Sequence, residues 1–149
     1  MIFYLFVYGS LIKTHQKYKH IPVVVKDLQR HWILCANNKR YFGIYDEPGY
    51  ICNGLLIQID TDELLKLDKR EEYYIRKEIN KDRFNIRGDL LDDVVIYTYY
   101  PNNYMSIKSY FDNKSKQCLK YLYICLSGCK QISKEFMIEF IKNTSGWQL

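Results

Sequence analysis

The spacing of apolar positions divides the chain into two parts. Ile2 to Tyr8 is an unbroken apolar and aromatic run stopped by Gly9, and it reads as a buried strand. Pro22 precedes Val23-Val24-Val25, a second β-rich run, and Arg30 to Ala36 reads as a third strand. Pro48-Gly49 is a turn signal. After it Ile51, Asn53, Leu55, Ile57 and Ile59 alternate onto one face of a strand. Thr61-Asp62-Glu63 opens a short helix: Thr61 is placed to cap it, the two acids suit its dipole, and Leu64, Leu65 and Leu67 give it a buried side. Tyr73 to Ile79 returns to strand, so Glu71 falls at the helix end or in the turn after it. Val94 to Tyr100 is a further strand, closed by Pro101-Asn102-Asn103.

The last third changes period. Leu119, Leu122, Tyr123 and Leu126 recur at three and four, which predicts a helix. Ser133 is a second N-cap, with Ile132 and Met137 placed for a hydrophobic staple. Phe136, Met137, Phe140 and Ile141 form the inner face of that helix, and Gly146 stops it. Strands in the first two thirds and helices at the end predict an α+β fold, in one domain over residues 1–149. Short consecutive strands without a crossover helix suit a small barrel.

Composition narrows the function classes. A chain of 149 residues buries a core without disulfides or a structural metal. The net charge of +5 is spread along the chain, with only a short basic patch from Lys13 to His20, and this argues against nucleic acid as a partner. The apolar start has no basic lead-in and no other run is long enough to span a bilayer, so no membrane partner and a cytoplasmic location are expected. Cys35, Cys52, Cys118, Cys125 and Cys129 include no CxxC pair, which predicts reduced, mostly buried thiols. Cys125 and Cys129 fall on one helix face. His15, His20 and His31 lie in no metal motif, so no metal is expected.

Two positions carry candidate chemistry. Gly9-Ser10 follows a strand but lacks the spacing of either glycine-rich phosphate motif. It is either a plain turn or a turn whose free N–H groups hold an anion. "LDKREEYYIR", Leu67 to Arg76, interleaves Asp68, Glu71 and Glu72 with Lys69, Arg70 and Arg76. It is either a solvated helix end with i,i+3 pairs, or it turns one carboxylate inward, where apolar neighbours raise its pKa and make it a base. The GxSxG nucleophile motif is absent.

"FVYGSLI" resembles the YGSL loop of the γ-glutamylcyclotransferase-like family. "NGLLIQIDTDELLKLDKREEYYIRKEI", Asn53 to Ile79, resembles that family's strand, short helix and acid, and "ICLSGCKQISKEFMIEFIKNTSGW" is similar to its C-terminal helices with a closing T-x-G-W. The resemblance implies a small closed, mixed β-barrel with flanking helices. It implies release of 5-oxoproline from a γ-glutamyl amino acid, amine or peptide, with no cofactor. By motif position, Glu71 matches the catalytic glutamate, Tyr8, Gly9, Ser10 and Leu11 the substrate-binding loop, Tyr74 the following aromatic and Arg76 the basic residue after it. Tyr73 stands where relatives often have glycine, and Cys118-Leu119-Lys120 replaces the usual Pro-Ser before Tyr121.

The expected partner is a small γ-glutamyl molecule, for a monomer or homodimer. In the implied reaction the substrate's own α-amine attacks its γ-carbonyl, and one carboxylate, Glu71, moves the protons. Two rival readings remain: glutathione itself as substrate, and a non-catalytic module of the same fold that binds γ-glutamyl ligands. Thr144 and Trp147 are expected to pin the last helix, and Arg30 to pair with a carboxylate at the barrel end or the surface.

Overall fold

The computed structural model describes residues 1–36, 39–86, 92–102, 106–107 and 116–147. Seven strands form one mixed sheet: β1 Ile2–Val7, β2 His20–Ala36, β3 Lys39–Gln58, β4 Tyr74–Glu78, β5 Val94–Pro101, β6 Ser106–Ile107 and β7 Thr144–Ser145. Three α-helices accompany them: α1 Thr61–Arg70, α2 Lys116–Ile132 and α3 Lys134–Lys142. The strand order is β4-β5-β1-β3-β2-β6, with β7 added beside β2. β1 lies inside the sheet, antiparallel to β3 and parallel to β5. Its successive residues Leu5, Phe6 and Val7 are all buried, so both faces of this strand are covered.

The α+β, mixed-sheet expectation holds, but the closed barrel needs correcting. Among the described residues the ladders end at β4 on one side and β6 on the other. The reason lies in the short β4. After Glu78 the chain passes Asn80, which caps a 3-10 turn over Lys81–Arg83, so a turn and not a strand faces β2. A single bridge, Val25 to Phe84, spans the gap there. Elsewhere side chains cross it: Tyr100 donates to Asp46 at 2.9 Å, and Tyr74 donates to the Phe42 carbonyl at 2.8 Å.

The two runs Val23–Val25 and Arg30–Ala36 belong to one long strand, β2, paired along its length with β3. Pro48-Gly49 does not separate strands. Lys26 pairs with Ile51 and Leu28 with Asp46, so residues 47–50 bulge out opposite Asp27. Gly49 takes φ +88 there, and its N–H donates to Asp27 Oδ1 at 3.0 Å. Beyond the bulge Asn53, Leu55, Ile57 and Ile59 are buried as expected, but so are Cys52 and Leu56 on the other face, while Ile51 is exposed.

Asp60, not Thr61, caps α1: its extended backbone lets the side chain accept from the Glu63 N–H at 2.8 Å. Leu64 and Leu67 are buried and Leu65 is exposed. Ser133 caps α3 as expected, accepting from Phe136 N–H at 2.9 Å. Phe136 and Phe140 face the core, whereas Ile141 is largely outside. α3 ends at Lys142, four residues before Gly146, because Thr144 and Ser145 leave the helix to pair with Arg30 and His31. Of the stripe on α2, Leu122 and Leu126 pack against the core, whereas Leu119 and Tyr123 are exposed; Cys125 and Cys129 are buried beside the two leucines. At Gly128 a Cβ would lie 2.8 Å from the backbone nitrogen of Lys13, so α2 touches the segment after Gly9 backbone to backbone.

Among the described residues no helix is long and apolar enough to cross a membrane. Cys52, Cys125 and Cys129 are free, buried thiols, while the side chains of Cys35 and Cys118 lie outside the described residues.

Candidate active site

β1 delivers the chain to Gly9, and a 3-10 helix begins at Ser10 and runs to Lys17. Gly9 accepts from Ile12 N–H at 3.1 Å, which tightens the first turn. The first N–H groups of a helical segment have no intrahelical acceptor, so those of Ser10 and Leu11 are available to a ligand. The Gly-Ser turn is therefore a helix start. Thr14 and His15 bond back to the carbonyls of Leu11 and Ile12, at 2.7 and 3.1 Å, and fix the segment.

The second half comes from the end of α1. Glu71 is the C-cap, its N–H donating to Leu67 at 2.8 Å, and its own carbonyl accepts from Tyr74 N–H at 3.0 Å. This tight reversal places Glu71 between the helix and β4. One cavity of about 530 Å³ is lined by both halves. Of the seven residues matched by motif in the sequence, Tyr8, Gly9, Ser10, Leu11, Glu71 and Tyr74 lie on its wall and Arg76 does not. The cavity occupies the seam where β4 and β3 are joined by side chains and not by a ladder.

Burial lifts the Glu71 carboxyl above its ordinary value, against the pull of neighbouring Arg70. Among the described residues no side chain donates a hydrogen bond to it. The surrounding phenols are pushed upward as well, so they stay neutral. Tyr8 is raised first by burial, and its hydroxyl donates to the Tyr99 carbonyl at 2.6 Å. Burial likewise raises Tyr74, whose hydroxyl is taken by Phe42. Tyr8 and Tyr74 therefore shape the wall and stay neutral on the cavity that Glu71 lines.

Sequence reading missed the other wall. Tyr41 and Phe42 of β3, Tyr73 before β4, and Tyr121 of α2 also line the cavity. The Tyr121 ring stacks on Trp32 at 5.7 Å and meets Tyr41 edge-on at 5.3 Å. Its hydroxyl interacts with the Ser10 side chain, which links α2 to the loop. A Cβ on Gly9 would stand 3.4 Å from that hydroxyl and 3.7 Å from Phe42 Cβ. The usable signal was the helical spacing Tyr121-Cys125-Gly128, which passes over the more hydrophobic leucines.

Two arginines resolve differently. Arg76 pairs with Asp68 at 2.9 Å. Arg30 is fully buried and, among the described residues, pairs with no carboxylate, contrary to expectation. Its guanidinium donates to the Asn53 side chain at 2.8 Å, the Asn53 carbonyl, Phe140 O and Thr144 Oγ1, and stacks 3.7 Å over the Phe140 ring. Thr144 donates to Phe140 O at 2.6 Å and Trp147 Nε1 to Ile141 O at 3.0 Å, so both hold the end of α3 as expected.

No curated protein matches this sequence. Solved structures share its fold at low identity. A γ-glutamyl cyclotransferase superposes with a TM-score of 0.66 at 14% identity, covering 100% of this chain and 91% of that one. A γ-glutamyl cyclotransferase specific to glutathione, from yeast, gives 0.66 at 14% identity over 95% of each chain. An uncharacterized Homo sapiens protein gives 0.64 at 16% identity, over 99% of this chain and 90% of that one. The family model described as "Gamma-glutamyl cyclotransferase, AIG2-like" matches residues 5–123, which include the Gly9 loop, Glu71 and Tyr121. With that match over most of its length, the chain belongs to the γ-glutamyl cyclotransferase, AIG2-like family.

Proposed function

We propose that the protein is a γ-glutamylcyclotransferase, releasing 5-oxoproline and a free amine from a γ-glutamyl amino acid, amine or peptide. The observation that carries this reading is that Glu71 and the helix start at Gly9-Ser10 face one cavity. The reaction needs both halves. The substrate's α-amine attacks its γ-carbonyl, a C–N bond closes the five-membered lactam, and the γ-amide C–N bond breaks. The attacking amine loses a proton and the departing amine gains one.

Glu71 does both in turn, taking the proton from the α-amine and returning it to the leaving nitrogen. Its partial burial suits this role, because a raised pKa brings base and acid forms closer to neutral pH. The N–H groups of Ser10 and Leu11 hold an anionic part of the substrate, either the α-carboxylate or the oxygen of the tetrahedral intermediate. Tyr8, Leu11 and Tyr74 shape the folded conformer in which amine and carbonyl meet, and that conformer supplies the proximity. No step requires a group beyond the chain and the substrate.

The test is incubation of the purified protein with γ-glutamyl amino acids, γ-glutamyl amines and glutathione, scored for 5-oxoproline. Glu71→Gln is expected to lose about 10²- to 10⁴-fold in rate on any active substrate. Equal rates for variant and wild type would remove Glu71 from the chemistry. Binding of γ-glutamyl compounds without any 5-oxoproline would make the protein a binding module.

A further inference from the structure

The cavity has two unlike walls. One carries the helix start at Gly9-Ser10 and Glu71. The other is aromatic: Tyr41 and Phe42 of β3, Tyr73 and Tyr74 at the start of β4, and Tyr121 of α2. These rings are braced from behind. Tyr121 lies 5.7 Å from the fully buried Trp32 ring, with 5° between their planes. Tyr41 meets Tyr121 edge-on at 5.3 Å, and Tyr73 lies 6.2 Å from Tyr41 at a 37° tilt. The rings form an arc. It starts at the loop, where the Tyr121 hydroxyl stands 3.4 Å from the place of a Cβ on Gly9, and it ends at Tyr73, next but one to Glu71 in the chain. Tyr41 and Tyr73 are half-buried and belong to one group with Tyr45 and Tyr74.

We propose that Tyr41 and Tyr73 form the subsite for the departing half of the substrate, and that they select a leaving amine that carries an aromatic ring. The proposal rests on the reading of Glu71 as the group that moves the protons. Glu71 hands a proton to the leaving nitrogen, so that nitrogen sits within hydrogen-bond reach of the carboxyl, about 2.6–3.2 Å. The glutamyl half occupies the loop side, on the helix start at Gly9-Ser10. The departing chain then begins beside Glu71, and Tyr73 and Tyr41 are the rings of the arc on that side. Tyr73 shares the turn with Glu71. The Tyr41 phenol is raised by burial first and then by its acidic neighbours Tyr73, Glu71 and Glu72, so Tyr41 lies within electrostatic reach of the carboxyl. A ring two carbons from the leaving nitrogen spans that gap.

Ring contact is what this wall has to give. The hydroxyls of Tyr8 and Tyr74 are taken by the Tyr99 and Phe42 carbonyls at 2.6 and 2.8 Å, which leaves carbon for a ligand to touch. A wall of that kind selects by shape and by the edge-on or offset packing that Tyr41 already makes with Tyr121. The cavity also carries charge: Glu72 and Arg70 flank Glu71 in the chain, and Lys13 has its ammonium 3.2 Å from Ser127 Oγ on α2. Arg70 and Lys13 bear on whether the departing group has a carboxylate, and not on whether it has a ring. The ring is therefore tested at matched charge.

Two pairs of compounds isolate the ring. γ-Glutamyl-phenylalanine and γ-glutamyl-alanine both keep a carboxylate on the departing group, and γ-glutamyl-phenethylamine and γ-glutamyl-ethylamine both lack one. The readout is kcat/KM for release of 5-oxoproline. In each pair the ring-bearing substrate should lead by about tenfold or more. Tyr41→Leu and Tyr73→Leu keep apolar bulk without a ring, and each should cut that ratio by about threefold or more. Tyr41→Phe keeps the ring and should keep the ratio. A ratio near one in either pair, or a ratio that both leucine variants leave untouched, would overturn the proposal with the reaction intact. So would faster turnover of a γ-glutamyl diamine than of the phenethylamine compound, since the rings would then serve a cation. Failure of every compound to release 5-oxoproline would instead sink the proposed reaction. The subsite is then read by isothermal titration calorimetry of the same four compounds with wild type and Tyr41→Leu. Tighter binding of the ring-bearing members, lost in the variant, would uphold it, and equal binding would overturn it.

Discussion

Two ionisable side chains lie inside this protein in opposite company. Arg30 is wholly buried, yet it is met by a side-chain amide, two backbone carbonyls, a hydroxyl and the face of Phe140. Glu71 is only partly buried, lines a cavity, and among the described residues has no hydrogen-bond donor from any side chain. Burial alone therefore does not mark a working group. Arg30 bonds through its terminal nitrogens, its buried Nε having no partner among the described residues, and those bonds hold β2, β3 and α3 together. A half-buried charge left without partners faces something that is not part of the chain. The first arrangement is closed, and the second is open to the cavity.

The largest expected effect breaks the comparison at its open end. Glu71→Gln keeps the shape of the side chain and removes its proton chemistry. The loss of about 10²- to 10⁴-fold in 5-oxoproline release should come with an unchanged near-UV circular dichroism spectrum. At the closed end the outcome reverses. Arg30→Met strips the cation from Asn53, Thr144 and Phe140 and leaves their oxygens buried without it. A cost of about 3–5 kcal/mol in urea unfolding is expected, with kcat of the remaining folded protein close to wild type.

Two glycines sharpen the contrast, Gly9 on the cavity wall and Gly128 outside it. Gly128→Ala would set a Cβ 2.8 Å from Lys13 N, a backbone atom that cannot swing aside. It should destabilise by about 1–3 kcal/mol and lower the midpoint of thermal unfolding. Gly9→Ala is the milder change. Its Cβ meets Tyr121 and Phe42 at 3.4 and 3.7 Å, near ordinary contact, so stability should change by less than about 1 kcal/mol. The methyl group instead occupies space beside the N–H groups proposed to hold the substrate. A roughly tenfold rise in KM is expected, about 1.4 kcal/mol of binding, in steady-state kinetics. An unfolding midpoint that drops as far as in Gly128→Ala would make Gly9 a packing residue only.

What could be read from the sequence follows from how local each cause is. β1, β5, α1 and the Ser133 cap rest on residues within a turn or two of each other, and those were legible. The single long β2–β3 arm was not, because its continuity depends on Asp27, at φ +60, meeting a bulge over twenty residues away. Thr61 and Asp60 are both good caps, and only the extended backbone at Asp60 decides between them. On α2 Leu122, Leu126, Cys125 and Cys129 pack as their spacing suggests, whereas the close approach at Gly128 depends on Lys13, far away in the sequence. The same holds for the site. Gly9-Ser10 and Glu71 were legible as short motifs, whereas the wall of Tyr41, Phe42 and Tyr121 exists only after β3 and α2 are folded against β1. The open seam beside β4 was equally hidden, since it results from ladders that do not form.

The smallest effect separates the two ends by pH. Burial raises the Glu71 carboxyl in the folded protein, so folding favours its protonated form. By linkage, that contribution is complete below the ordinary glutamate value of 4.5 and is lost as pH rises through the raised folded value. Glu71→Gln has no such loss. Its unfolding midpoint should therefore match wild type at pH 4 and rise above it toward pH 7, an activity-destroying change that stabilises the fold. Arg30→Met should be less stable than wild type by a constant margin over the same range, since the amide, carbonyls and hydroxyl it leaves behind do not change with pH. Thermal unfolding of the three proteins at pH 4, 5.5 and 7 tests both trends. A wild-type advantage over Glu71→Gln that grows with pH would mean that the folded protein prefers the carboxylate, and Glu71 would then belong with Arg30 as a structural charge.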